Sequence, residues 1–330
     1  MVEGRTSASV SGRRRDRGDV ADLVSRARTG DPRAVARLIS LVEDESPLLR
    51  EVTAALVPHV GHARVVGITG APGVGKSTST SALVGELRKA GHRVGILAVD
   101  PSSPFSGGAL LGDRVRMQDH ALDPEVYIRS MASRGHLGGL AWSTPQAIRV
   151  LDAAGCDVVL VETVGVGQSE VEIAGLADTT LVLLAPGMGD GIQAAKAGIL
   201  EIGDVYVINK ADRDGADTLR RELRSMLALA ERHEGDWKPP IVKTVASRGE
   251  GLDQVVAEIG RHHAWLESSG ELVVRRTRRA RDEIEAIALT DLRRRWDDVH
   301  GRSELDELAA QVAAGESDPY AAAETLLAQL

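Results

Sequence analysis

Aromatic residues are scarce in this chain of 330 residues, with one Phe, three Tyr and four Trp. Ring platforms of the kind that hold single-stranded nucleic acid are therefore nearly absent. A basic excess is missing too: the formal charge of −8 argues against nucleic acid as the main partner, because phosphate-backbone binding shows as a surplus of Lys and Arg. A single cysteine excludes an internal disulfide and fits a reducing compartment. That residue, Cys156, stands beside Asp157 at the head of an apolar run and reads as a core thiol rather than a nucleophile. No run is long enough to span a bilayer, and the first residues lack the apolar stretch of a secretory signal. No membrane partner is expected, and the expected location is cytoplasmic.

With so few rings, the core must be built from Ala, Val and Leu. Residues 1–18 are rich in Arg, Ser and Gly and read as a disordered tail. Residues 19–60 carry a helical pattern, in which Asp31-Pro32 and Ser46-Pro47 each look like an N-cap followed by a proline suited to the first turn. Between 61 and 266, apolar β-branched runs alternate with helical segments, which predicts an α/β domain with a mostly parallel, doubly wound sheet. The expected strands are Val65–Thr69, Val94–Val99, Val126–Arg129, Val158–Glu162, Thr180–Leu184, Val205–Asn209 and Ile241–Val245, with the chemistry at their carboxyl ends. Residues 267–330 form a charged helical arm. Ile284, Ile287, Ala288, Leu292, Trp296 and Val299 recur at three- and four-residue steps and make one apolar stripe. Ser303 with Asp306 looks like the cap of a following helix, Gly315 its end, and Ser317-Asp318-Pro319 the start of a last one. An exposed apolar stripe needs a partner, and a second copy of the chain is the expected one, making a homodimer.

The stretch around which the rest is organised is Gly70-Ala-Pro-Gly-Val-Gly-Lys-Ser77, which fits the phosphate-loop pattern and follows the first strand. Its glycines let the backbone curl with successive N–H groups turned inward, and the helix starting near Thr78 adds its N-terminus. Gly70, Gly73, Val74, Gly75, Lys76, Ser77 and Thr78 are thus nucleotide-binding candidates. Lys76 supplies a cation to the β- and γ-phosphates, and the Ser77 hydroxyl is placed to ligate Mg²⁺.

Acidic residues follow at later strand ends. Asp100 closes the second strand ahead of a polar, glycine-rich loop, and Asp113 lies just beyond that loop. In a nucleotide hydrolase, acids here hold Mg²⁺ through water or orient the attacking water; both are also the residue type that forms turns and caps helices. Glu162 ends the apolar run Val158–Glu162 and is placed to hold the Mg²⁺ water shell. Gly165 beyond it lets an N–H approach the γ-phosphate, and Gln168 is either a water-positioning group or a polar loop side chain.

Base identity is signalled by Asn209-Lys210-Ala211-Asp212 at another strand end. A carboxylate at Asp212 accepts from both N1–H and the exocyclic N2–H of guanine, whereas adenine offers a lone pair at N1 and no amino group at C2. Asn209 would tie the loop together, and the stem of Lys210 would cover one face of the base. Ser247 lies after the last expected strand, where a loop can offer backbone N–H groups to guanine O6.

Together the phosphate loop, Asp100-Pro-Ser-Ser-Pro, Glu162-Thr-Val-Gly-Val-Gly-Gln-Ser-Glu170 and Asn209-Lys-Ala-Asp212 closely resemble the methylmalonyl-CoA mutase-associated GTPases, the MeaB/ArgK type. The resemblance runs from about Val20 to the C-terminus. It implies a homodimeric P-loop GTPase that cycles between GTP and GDP with Mg²⁺, binds an adenosylcobalamin-dependent acyl-CoA mutase, gates cofactor loading by hydrolysis and protects the mutase. It assigns Lys76 and Ser77 to phosphate and Mg²⁺, Asp100, Asp113 and Glu162 to an acidic metal cluster, and Asp212 to guanine. The loop Pro186–Lys196 resembles the family's additional switch, with Asp190, Gln193 and Lys196 as coupling residues; a helix cap and a solvated helix face would read the same way.

Three other readings remain. A kinase linked to arginine or ornithine transport would need an acceptor pocket and a base, and no separate stretch supplies them. A metal-delivery GTPase for nickel enzymes would carry Cys/His clusters, whereas His262-His263 reads as a solvated helix end. A module that holds GTP without turnover is the third, since slow intrinsic hydrolysis is common when a partner completes the site.

Overall fold

The computed structural model describes residues 20–44, 46–100, 120–132, 143–163, 169–187, 201–229, 233–299 and 302–327, with the backbone alone at 100, 169–171, 293–299 and 302–304. The chain divides into two compact units, Met1–Leu272 and Val273–Leu330.

In the first unit, helices α1 (residues 20–28), α2 (Pro32–Glu43) and α3 (Leu49–Leu56) precede the sheet. Asp31 caps α2 as its spacing implies, accepting from Arg33 N at 2.8 Å with Pro32 at the first helical position. The Ser46-Pro47 expectation needs correction. Helix α3 starts two residues beyond Pro47, and Ser46 Oγ accepts from Leu48 N at 3.3 Å, so that pair builds the turn ahead of the helix.

The sheet strands are β1 (Arg64–Thr69), β2 (Val94–Asp100), β3 (Val126–Ala132), β4 (Val158–Thr163), β5 (Thr179–Leu184), β6 (Val205–Ile208) and β7 (Ile241–Lys243). All seven fall where the apolar runs place them. They pair in parallel in the order β3-β2-β4-β1-β5-β6-β7. Between them lie α4 (Lys76–Lys89), α5 (Thr144–Ala153), α6 (Ser169–Leu176), α7 (Ala216–Leu227) and, after β7, α8 (Leu252–Ser269). Burial on both faces explains why the strands are continuous rather than alternating in hydrophobicity. Val66, Ile68, Leu181 and Leu183 pack with Leu83 and Val84 of α4 and Val255 and Ile259 of α8 on one face. Val65, Val159 and Val161 point the other way, against Leu151 of α5 and Ile173 of α6, and that cluster continues into Leu38 and Ile39 of α2. Arg129 on edge strand β3 donates to the Glu43 carboxylate, tying α2 to the sheet edge.

At the amino ends of the strands, carboxylates close the ladder. Asp178 accepts from Val65 N at 3.0 Å, Asp204 from Thr180 N at 2.8 Å and Asp157 from Arg93 N at 2.7 Å. Asp152 takes Gly61 N at 2.6 Å and Ala63 N at 3.0 Å. These acids satisfy backbone donors that would otherwise lack partners.

His262-His263 also needs correction, since both rings are buried rather than solvated. His262 Nδ1 lies 2.8 Å from Thr179 Oγ1, and Nε2 lies 3.3 Å from Asp204 Oδ1. Its ring centroid is 4.8 Å from Trp237 and 5.7 Å from Trp265, so it fastens α8 to the amino ends of β5 and β6. Cys156 is buried in the core, and burial pushes its thiol far above the ordinary range, as expected of an inert core thiol.

The second unit continues α9 (Glu271–Val299) and holds α10 (Arg302–Ala313) and α11 (Pro319–Leu327). Helix α10 begins one residue ahead of Ser303, so Ser303 lies inside it and is not its cap. Gly315 takes φ +75 just past α10, and Asp318 caps α11 by accepting from Tyr320 N at 2.9 Å. Among the described residues no helix is long and apolar enough to cross a membrane.

Candidate functional site

Strand β1 lies at the centre of the sheet between β4 and β5, and the chain leaves it directly into the Gly70–Ser77 loop. A crevice at the carboxyl ends of parallel strands is the usual ligand position in such a sheet. The loop is shaped by close approach. Gly70 has φ +142, and a Cβ there would collide with the carbonyl of Leu183 on β5. Lys76 is buried, and its Nζ donates to Gly70 O at 2.7 Å and Ala71 O at 3.3 Å, so the ammonium lies within the curl of the loop. Val74 packs in the core and anchors the loop from below, while Thr78 is exposed on the first turn of α4.

Ser77 Oγ donates to Glu162 Oε1 at 2.6 Å, bringing together two residues 85 positions apart. Glu162 is buried near the end of β4 and pairs in register with Ile68 on β1. Thr163 Oγ1, next in the chain, lies 3.3 Å from Thr69 Oγ1 at the end of β1. No group of three or more His, Cys, Asp or Glu side chains among the described residues is arranged to hold a metal. A Mg²⁺ held by one or two protein oxygens and by phosphate oxygens needs no such cluster, and the hydroxyl and carboxylate of Ser77 and Glu162 are the hard donors it takes. Asp100 ends β2, with its side chain outside the described residues; Asp113, Gly165, Gln168, Asp190, Gln193 and Lys196 lie outside them altogether.

The second half of the site is built by Asn209. Its Nδ2 donates to Val74 O of the phosphate loop at 2.9 Å, and its Oδ1 accepts from Ala246 N at 3.1 Å and Thr244 Oγ1 at 3.3 Å. One buried amide thereby joins the phosphate loop, the loop after β6 and the loop after β7. Both its nitrogen and its oxygen are hydrogen-bonded to structure, which is what a buried polar side chain requires. Lys210 takes φ +55, an uncommon conformation for a residue with a side chain, and its Nζ donates to Gly73 O at 2.6 Å. It therefore ties the two loops together as well, a contact that residue type alone did not signal.

Asp212 stands exposed beyond these anchors, and Ser247 is exposed on the short 3₁₀ turn Ala246–Arg248. Arg248, outside the set of residues that the motifs single out, brings Nη2 to 3.4 Å from Asp212 Oδ2. Its position directly after Ser247 was the available signal.

Comparison with known proteins matches the model of one family, described as methylmalonyl Co-A mutase-associated GTPase MeaB, over residues 35–299. A relative from Pyrococcus abyssi is 48% identical over 313 residues, 94% of this chain and 97% of its own. A protein of Mycobacterium bovis named a probable GTPase is 41% identical over 318 residues, covering 93% of this chain and 94% of its own. Among solved structures, one described as a LAO/AO transport system kinase superposes with a TM-score of 0.69 at 26% identity, covering 94% of this chain and 96% of that one.

Proposed function

We propose, because this chain belongs to the methylmalonyl-CoA mutase-associated GTPase family, that its GTP hydrolysis serves an adenosylcobalamin-dependent acyl-CoA mutase, gating cofactor loading and protecting the loaded enzyme. The chain is a P-loop GTPase and binds GTP and GDP. The observation that carries the nucleotide reading is the Asn209 amide, which holds the phosphate loop and the base loop as one body, so that a single nucleotide spans both.

In this reading Lys76 neutralises the β- and γ-phosphates, and the N–H groups of Gly73 to Thr78 cradle their oxygens. Ser77 and Glu162 hold Mg²⁺, Asp100 and Asp113 complete the acidic set, and Gly165 approaches the γ-phosphate. The metal would neutralise charge on the transferring phosphoryl group. Asp212 reads the two guanine N–H groups, and backbone N–H groups at Ser247 meet O6. Asp190, Gln193 and Lys196 couple the nucleotide state to the mutase. The helical arm of the second unit pairs two copies.

Support for the mutase as partner comes from the family's description. Phosphoryl transfer to a small acceptor, as a kinase would perform, has no acceptor site assigned in this reading. The test is GTP turnover and nucleotide-dependent association measured with and without the cognate mutase. Stimulated turnover and a GTP-dependent complex are expected. A mutase that neither binds nor changes turnover would overturn the chaperone role.

A further inference from the structure

We propose that Arg248 is a positioning residue for Asp212 and through it sets guanine selectivity, an inference that rests on Asp212 being the acid that reads the base. Asp212 is exposed on a loop, and an exposed carboxylate samples several rotamers. Two neighbouring N–H donors on one edge of a base demand a single orientation of the carboxylate plane. Among the described residues, Arg248 is the one charged group in reach of that carboxylate, at 3.4 Å from Oδ2.

The geometry holds because the two backbones are fixed to each other. Ala211 N, next to Asp212, donates to Thr244 O at 3.0 Å, and Ala246 N donates to Asn209 Oδ1 at 3.1 Å. The loop carrying Arg248 closes on itself through Val245 N to Glu250 O at 3.0 Å and Glu250 N to Val245 O at 3.3 Å. Gly251, the next residue, is packed so closely under the Lys243 carbonyl that a Cβ would collide with it. On the far side, Glu250 Oε1 lies 4.0 Å from Arg248 Nη1, so the guanidinium sits between two carboxylates and lies nearer to Asp212. Arg248 Nη2 approaches Oδ2 alone, which leaves Oδ1 and a second lone pair of Oδ2 open to accept from a base.

The side chains are 60% and 37% exposed, which limits the effect to what a screened surface pair supplies. For the full-length chain, Arg248→Ala is expected to weaken GDP affinity about two- to five-fold at low salt, and less at high salt. Arg248→Lys should recover part of the loss. The measurement is a double-mutant cycle with Asp212→Asn, using GDP and xanthosine diphosphate as probes. Asp212→Asn alone should trade GDP affinity for xanthosine diphosphate affinity, since the xanthine C2 carbonyl accepts from an amide. Adding Arg248→Ala to it should change xanthosine diphosphate affinity no further. Unaltered GDP affinity in Arg248→Ala overturns the inference, and so does an equal loss in the Asp212→Asn background, which would mean direct contact between Arg248 and the nucleotide. If Asp212→Asn leaves base preference unchanged, the base-reading role of Asp212 falls, an outcome distinct from either result for Arg248.

Discussion

Ser77 and Glu162 are joined by a 2.6 Å hydrogen bond that links the first turn of α4 to the end of β4, across the register that sets Glu162 opposite Ile68. A short bond to a carboxylate fixes the hydroxyl's proton toward Glu162 and turns the oxygen lone pairs away from it. The pair is therefore preorganised as two adjacent hard donors.

Glu162→Gln keeps the shape of this pair and removes its charge. GTP turnover is expected to fall by about two orders of magnitude, the scale of losing one preorganised electrostatic group, while GDP affinity without Mg²⁺ changes little. Ser77→Ala should instead raise the Mg²⁺ concentration needed for half-maximal nucleotide binding. Single-turnover hydrolysis and Mg²⁺ titration of nucleotide binding separate the two. Equal turnover in Glu162→Gln and the parent would remove Glu162 from the site.

Gly75 and Gly91 make a matched comparison. Both have left-handed φ, +99 and +85, but a Cβ on Gly75 would collide with Asn209 Nδ2, whereas one on Gly91 meets nothing within 4 Å. Alanine at either position carries backbone strain of about 1–2 kcal/mol. At Gly75 it must also displace the Asn209 amide and break its bonds to Val74 and Ala246, leaving buried polar groups unpaired at about 1–3 kcal/mol more. Gly91→Ala should lower Tm modestly and bind GDP like the parent. Gly75→Ala should lose GDP affinity by tenfold or more, on the order of the free energy of that lost bond. Thermal melts with and without GDP check both.

The helical layer ahead of the sheet should respond to acid. The Asp31 carboxyl is held below the usual carboxylate range, first by its hydrogen bonds from Arg26 and then by the α2 backbone N–H of Arg33. Arg88 does the same for Asp123, and Arg93 for Glu125. A carboxyl with a lowered folded-state pKa binds protons more readily when unfolded, so its contribution is present above the unfolded range and is lost as pH falls through the folded value. Hydrogen exchange over residues 32–43 should therefore quicken as pH drops below about 4, after allowance for the intrinsic pH dependence of exchange. Asp31→Asn should flatten that response. A response that survives the substitution would place its origin elsewhere.

The strands were legible because a parallel strand covered on both faces carries an unbroken apolar run, as Val158–Val161 and Leu181–Leu184 do, with polar residues only at its ends. The phosphate loop and Asn209–Asp212 were legible because their chemistry depends on residue type and short spacing. Long-range partnerships were not. Trp265 stands one turn along the same helix, but nothing local to His262 announces that Thr179, Asp204 and Trp237 will close around it, so a His-His pair near a helix end reads as solvated. Asp157, Asp178 and Asp204 precede strands as turn formers often do, and only the sheet order reveals that each carboxylate caps a neighbouring segment. Arg248 stood in the sequence only as the neighbour of Ser247, and its pairing with Asp212 was hidden for the same reason, since that partner lies 36 residues away and the loop geometry alone brings them together.

The apolar stripe of α9 should hold two copies together. Ile284 is 68% exposed, Leu292 54% and Ile287 39%, and Ile287 and Leu292 stand at the i+3 and i+8 positions from Ile284, within one broad face of the helix. Covering such side chains stabilises an association by about 1.5–3 kcal/mol each when burial is complete, and a two-fold interface counts every residue twice. A charge introduced on the stripe is likewise counted twice, so Ile287→Glu should dissociate the dimer even though one exposed helix face barely affects the fold of a single chain. Sedimentation of the full-length protein at tens of micromolar (roughly the range in which an interface of marginal area assembles) should give a dimer for the parent and a monomer for Ile287→Glu. If the parent itself sediments as a monomer, the stripe faces a different partner, and the same substitution should then be read in the complex with the mutase.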